Sequence, residues 1–292
     1  HEVGGQGSKP RRGRRPVVAG TGPGPEGSRL TVNIRRPWGC GAEEECARKR
    51  QPRAVDRERV PISPDCKVMS KVTIVGATGN VGTFSAHTLA SIPYVHEILL
   101  HGRAGRENLL CGITQDLIDS FAASGQAVDL SWTTDLEDAR DSDVVVCTAG
   151  VPRRPGQDRL DLALENARIV AGTARVIGEC APHAMILMVT NPVDVMTSVA
   201  LKYSGMQPNQ VFGLGTHLDS MRLKSLIATH FRVHVSEVHT RIIGEHGESM
   251  VPLWSATTIG GIQISNLPAF SRLPVEEMVA TVRSSGENII RN

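Results

Sequence analysis

The sequence predicts an α/β protein: a doubly wound parallel sheet followed by a smaller, mixed α/β region. Three observations carry that expectation. From Lys71 onward, short apolar β-branched runs alternate with longer helical patterns, the signature of βαβ units. The first run, Lys71 to Val75, feeds a turn with glycines at Gly76, Gly79 and Gly82. Later runs also end in small or polar residues, at Gly102, Gly150 and Asn191, as strands opening onto a cleft do.

Everything before these elements is of a different character. Residues 1–68 hold 15 Lys/Arg against 8 Asp/Glu, whereas residues 69–292 hold 17 against 22, so a net charge of +2 conceals a basic and an acidic part. Residues 1–68 are rich in Gly, Pro and Arg, have Trp38 as their only aromatic residue and show no sustained period. Such a stretch cannot bury enough to fold by itself. It reads as a disordered or non-native basic extension, with Met69 as a natural start. The run Arg11 to Arg15 would suit nucleic acid, a reading set aside because nothing else in the chain supports it. Six scattered cysteines without a CxxC or metal-ligand rhythm read as reduced and structural. With no apolar run near the ~20 residues that span a bilayer, the expectation is a cytoplasmic protein that binds neither metal nor membrane.

Taken in order, Lys71 to Val75 has the composition of a buried parallel strand. The turn Gly76-Ala77-Thr78-Gly79-Asn80-Val81-Gly82 leads into a helix expected over Asn80 to Ser91. Bare glycines let backbone approach a pyrophosphate, whose charge then meets the helix N-terminus. One extra residue separates this turn from the plain GxGxxG spacing, so it also fits an ordinary strand-to-helix turn. Glu97 to Leu100 forms the second strand and ends at His101, Gly102 and Arg103. An acid there would take a ribose 2′-hydroxyl, whereas Arg accommodates a 2′-phosphate. Arg103 therefore favours NADP over NAD, unless it is only a solvated turn residue.

A helix over Leu109 to Ala123 and strands over Val128 to Trp132 and Asp143 to Cys147 follow. Gly150 after the last would let backbone lie against a dinucleotide. The loop Val151 to Arg159 carries Arg153 and Arg159, either a solvated surface or a lid over an anionic substrate, because arginine forks pair bidentately with carboxylates. A long helix runs from about Asp161 to Cys180, then a strand from Met185 to Thr190, with Asn191 at its tip and Pro192 suited to the first turn of the next helix. After Val211 and Phe212, Asp219 and Arg222 share a helix face. They form either a plain i,i+3 ion pair or part of a site. His246, between two glycines in Ile242 to Ser249, supplies the missing partner: a histidine oriented by an aspartate, with arginines to hold a carboxylate, makes a proton-transfer site.

The ordered set GATGNVG, GVPRRPGQDR, VTNPVDVMT, VFGLGTHLDSMR and RIIGEHGESMVPL resembles the lactate/malate dehydrogenase family, and within it the NADP-dependent malate dehydrogenases of methanogenic archaea, across Met69 to Asn292. The resemblance implies a Rossmann-type dinucleotide-binding domain over 69–215 and a substrate domain over 216–292. It implies that His246 donates and accepts the proton, paired with Asp219. Arg222 would hold the carboxylate next to the reacting carbon, Arg159 would polarise the carbonyl, and Arg153 would take the second carboxylate of a dicarboxylate. Asn191 would orient the substrate and border the nicotinamide together with Val189 and Thr190, and Asn166 would contact the cofactor. Gly76 to Gly82, His101, Gly102, Arg103 and Gly150 complete the cofactor site. The expected reaction is reversible hydride transfer between NADP(H) and malate/oxaloacetate, in a homo-oligomer, dimer or tetramer. Its alternatives are an NAD-linked malate or lactate dehydrogenase and a chain that binds cofactor without turnover. Because the family pattern continues past the helix expected over Pro274 to Ile290, the substrate domain is expected to be C-terminally incomplete.

Overall fold

A computed structural model describes residues 71–152 and 159–291, except for the side chains at 159–161, 287 and 289–291. The expected basic extension and Arg153 thus lie outside the described residues, as does the side chain of Arg159. Six strands form one sheet: β1 (Lys71–Val75), β2 (Glu97–His101), β3 (Asp129–Thr133), β4 (Val144–Cys147), β5 (Met185–Met188) and β6 (Val211–Gly213). Their spatial order is β3-β2-β1-β4-β5-β6 and all pairs are parallel. Every strand therefore ends at the same edge. The order reverses between β1 and β4, which leaves a crevice beyond their carboxyl ends.

Helices cover both faces. α1 (Asn80–Leu89) and α2 (Glu107–Ser124) enclose a core with Val72, Ile74, Ile98, Leu100, Leu110 and Phe121. On the other face α3 (Arg159–Cys180) and α4 (Val193–Ser204) enclose Val145, Val170, Ile177, Ile186, Met188 and Met196. The inner strands β1, β2 and β4 read as apolar runs instead of alternating patterns because both their faces are buried, whereas the edge strand β3 has no buried residue. α3 and α4 approach so closely at Gly178 that a Cβ there would lie 1.9 Å from the Ser204 carbonyl oxygen.

Several predicted bounds shift for local reasons. α1 stops at Leu89 instead of Ser91 because the Ser91 N–H and hydroxyl both turn back onto Thr88 O. β5 stops at Met188, since the Thr190 hydroxyl bends onto Ala149 O and Cys147 O. Pro192 is the N-cap of α4, just outside its first turn.

The remaining chain is built differently. α5 (His217–Phe231) and α6 (Val275–Arg291) pack with the two-residue strands β7 (Val238–His239), β8 (Ile242–Ile243), β9 (Val251–Pro252), β10 (Thr258–Ile259) and β11 (Ile262–Gln263). Leu223, Ile227, Val238, Ile264, Met278 and Val282 fill a third core. No helix among the described residues is long and apolar enough to cross a membrane.

Candidate active site

The strand tips of the large sheet build one wall. Gly76 and Ala77 both donate to His101 O, at 2.9 and 3.0 Å, so the first turn is fixed to the end of β2. Gly76 has φ +88°, and a Cβ on it would lie 2.7 Å from Ala149 N, so only glycine lets the tips of β1 and β4 meet here. Gly79 caps α1 without a side-chain hydrogen bond, and the first turn of α1 carries no acid. Its N–H groups and positive dipole end are left to an anion, as a pyrophosphate requires. Thr78, Asn80, Val81 and Gly82 line the same turn and first helical turn. This cradle fits the expected dinucleotide.

At the end of β2, Gly102 packs against Leu110 and Thr78, while Arg103 is exposed. His101 Nδ1 is buried without a hydrogen-bond partner. Burial holds the imidazole below its ordinary pKa, although Asp135, the Thr134 backbone and Asp138 act in the opposite direction. The tip of β2 thus presents a buried imidazole held toward its neutral form beside an exposed arginine.

The tips of β4 and β5 are joined by side chains. Thr190 Oγ donates to Ala149 O at 2.8 Å, and the Val189 N–H donates to Cys147 O. Gly150 backs onto Thr190 and Asn166. Asn166 is 1 % exposed: its Oδ1 accepts from the Val151 N–H at 2.7 Å and its Nδ2 donates to Asn191 O at 2.8 Å. One amide therefore clamps the two loops that follow β4 and β5. The family resemblance implies a cofactor contact for Asn166, and the geometry adds this clamping role. Burial of Cys147 behind these loops pushes its thiol up to about 11, with the Ala149 backbone and Thr190 hydroxyl pulling the other way.

The opposite wall comes from α5 and the loop between β8 and β9. Asp219, in the first turn of α5, has a side chain only 1 % exposed. Its Oδ2 accepts from His246 Nδ1 at 2.5 Å and its Oδ1 from Arg222 Nη1 at 3.2 Å. A buried carboxylate needs such partners. An ionised carboxylate can only accept, so Nδ1 carries the proton and Nε2 is the nitrogen available for exchange. His246 is 26 % exposed, open enough to meet a ligand. The i,i+3 pair and the three-residue constellation are therefore one arrangement, with Arg222 bonded to the carboxylate that orients His246. β8 is tied to α5 by the Ile242 N–H on Ser220 Oγ at 2.8 Å and by Thr216 Oγ on Ile242 O at 2.6 Å. The sequence reading missed Asp194, whose Oδ2 accepts from the His246 backbone N–H at 2.9 Å. Its place three residues after Asn191 was visible, but nothing in one sequence shows a contact spanning that distance.

Comparison with known proteins finds a family that matches both parts of the chain. Residues 70–213 match the lactate/malate dehydrogenase NAD binding domain, and residues 216–292 the lactate/malate dehydrogenase alpha/beta C-terminal domain. The chain is 49 % identical over 223 residues to an L-2-hydroxycarboxylate dehydrogenase (NAD(P)(+)) of Methanocaldococcus jannaschii, covering 76 % of this chain and 71 % of that protein. It is equally 49 % identical over 226 residues to a malate dehydrogenase of Methanothermobacter marburgensis, covering 75 % and 70 % of the two. The crystal structure of Plasmodium falciparum malate dehydrogenase superposes with a TM-score of 0.71 at 28 % identity, over 76 % of this chain and 71 % of that one. With both domains of one family matched in order and the fold shared, the chain belongs to the lactate/malate dehydrogenase family of oxidoreductases.

Proposed function

We propose that the protein is a malate dehydrogenase that reduces oxaloacetate reversibly with NADP(H). The observation that carries this reading is the His246–Asp219 pair at 2.5 Å, with Arg222 on the second carboxylate oxygen. The glycine turn from Gly76 to Gly82 and the tips of β1, β2 and β4 would hold the cofactor, which would supply or take the hydride. During reduction the carbonyl oxygen gains negative charge, and protonated His246 delivers a proton to it through Nε2. Asp219 holds the imidazolium in orientation and balances its charge. Arg222 binds the carboxylate next to the reacting carbon, Arg159 stabilises the developing oxyanion and Arg153 takes the second carboxylate. Asn191 orients the substrate against the nicotinamide.

Arg103 and the absence of an acid at the tip of β2 support NADP as the preferred cofactor. A second reading is supported by the name of the Methanocaldococcus relative, which covers L-2-hydroxycarboxylates and both nicotinamide cofactors. On that reading the chain accepts NAD as well and a wider range of 2-oxo acids. Three free thiols among the described residues, Cys111, Cys147 and Cys180, suit a reducing cytoplasm, and exposed apolar residues such as Phe84 and Leu218 suit a homo-oligomer, dimer or tetramer.

The test follows NADPH oxidation with oxaloacetate, beside NADH and pyruvate. The expected result is fastest turnover with NADPH and oxaloacetate, and a ~10²- to 10⁴-fold loss of kcat in His246→Ala with cofactor affinity retained. Equal rates with both cofactors would support the wider reading. A His246→Ala variant as fast as the wild type would sink both.

A further inference from the structure

We infer that Asp194 is a positioning residue for His246, holding the catalytic loop against the start of α4; this rests on the reading that His246 transfers the proton. The Asp194 carboxylate accepts from the His246 backbone N–H at 2.9 Å across 52 residues. The loop it holds runs between two two-residue strands and starts at Gly244, whose φ is +93°. Besides the Asp219 bond to the ring of His246, it is tied by local bonds such as Ser249 Oγ on Glu245 and the Gly247 N–H on Glu245 O. Asp194 is by contrast part of a fixed element. α4 is anchored by the buried residues Val193, Met196 and Ala200, and a carboxylate in its first turn is favoured by the helix dipole.

The geometry explains why a second anchor matters. Asp219 grips one ring nitrogen, and a ring held at one point can still swing about that bond. Asp194 grips the backbone of the same residue from another helix, so the direction of Nε2 is set as well as its distance. Asp194 also stands three residues beyond Asn191, whose carbonyl is held by Asn166 Nδ2 at 2.8 Å. The start of α4 thereby fixes His246 and Asn191 relative to each other, and these are two of the residues proposed to meet the substrate. The bond is exposed to solvent, so water can replace it when it is lost. Its removal should change alignment more than stability.

The experiment compares the full chain with Asp194→Ala and Asp194→Asn. Three quantities are read: kcat with oxaloacetate and NADPH, cofactor affinity by nicotinamide fluorescence, and hydrogen exchange of the His246 backbone amide. Asp194→Ala should lower kcat ~10- to 100-fold, the scale of a small misplacement of a reacting group. Its cofactor affinity should be unchanged and its His246 amide should exchange faster. Asp194→Asn, whose Oδ1 can accept the same bond, should recover most of the rate and the protection. Wild-type kcat or unchanged amide exchange in Asp194→Ala would overturn the inference, as would equal losses in both variants. Inactivity of the wild type with every substrate and cofactor would instead refute the proposed function, and the amide exchange would still decide whether Asp194 holds the loop.

Discussion

The two halves of this molecule hold their functional groups by different means. In the half built on β1 to β6, the turn after β1 is set by backbone, since Gly76 and Ala77 donate to the end of β2 and glycine lets β1 and β4 touch, and the side chains of Thr190 and Asn166 add ties only at the tips of β4 and β5. In the half built on α5 and β7 to β11, no strand exceeds two residues and position is set by side chains. There Ser220, Thr216 and Asp219 fasten β8 and His246 to α5. The difference suits the two ligands expected at these walls. A dinucleotide is met largely by main chain and by a helix end, whereas proton transfer needs particular ionisable side chains at particular angles.

If the contrast is real, the first half should fail when backbone is pushed apart and the second when a hydroxyl is removed. The largest effect is expected from Gly178→Ala. Its new methyl would start 1.9 Å from Ser204 O, which is backbone and cannot rotate away, so α3 and α4 must separate. Overpacking typically costs ~1 to 3 kcal/mol, and this contact belongs at or above the upper end. Urea unfolding should show the loss, and an unshifted midpoint would mean that the two helices slide freely.

A smaller loss is expected from Ser220→Ala, which removes the acceptor for the buried Ile242 N–H. An unpaired buried donor costs ~1 to 3 kcal/mol, and the Ser220 hydroxyl bond to Thr216 O is lost with it. Turnover should fall while cofactor affinity stays. If cofactor affinity fell equally, the two halves would not be as separable as their construction suggests.

The smallest effect is a pH dependence from His101. Its folded pKa lies below its ordinary value of 6.5, because burial disfavours the charged ring. The unfolded chain therefore binds more protons, and the stability contributed by the neutral ring is present above about pH 6.5 and lost as pH falls through the lowered value. Comparing unfolding of the wild type and His101→Gln across this range should show the wild type losing relative stability on acidification. A constant gap between them would remove His101 from the account.

The sequence was more legible in the first half, for reasons that follow from the same contrast. Doubly buried parallel strands leave apolar runs, and a strand entering a glycine turn leaves spacing, so β1, β2 and β4 could be read directly, and the alternation with helices placed the rest. Of the strands β7 to β11 only β8 left a trace, as the β-branched pair before Gly244, since two residues cannot display a period. Asp219 and Arg222 were legible because helical spacing alone puts them on one face. His246 was legible as the partner that Asp219 and the arginines lacked, but its second anchor on α4, Asp194, was not, because only the fold brings the two together. Pro192 was placed one position too far into the helix, as its fixed φ of −69° suits a cap as well as a first turn.

The buried amide of Asn166 also bears on how such a protein can diverge. Because Asn166 ties Val151 to Asn191, the tips of β4 and β5 answer to a residue in the interior, not to the chain that leaves Val151. Substitutions beyond Val151 can then be tried without first rebuilding the sheet edge. Exchange of Asn166, by contrast, would release both tips at once.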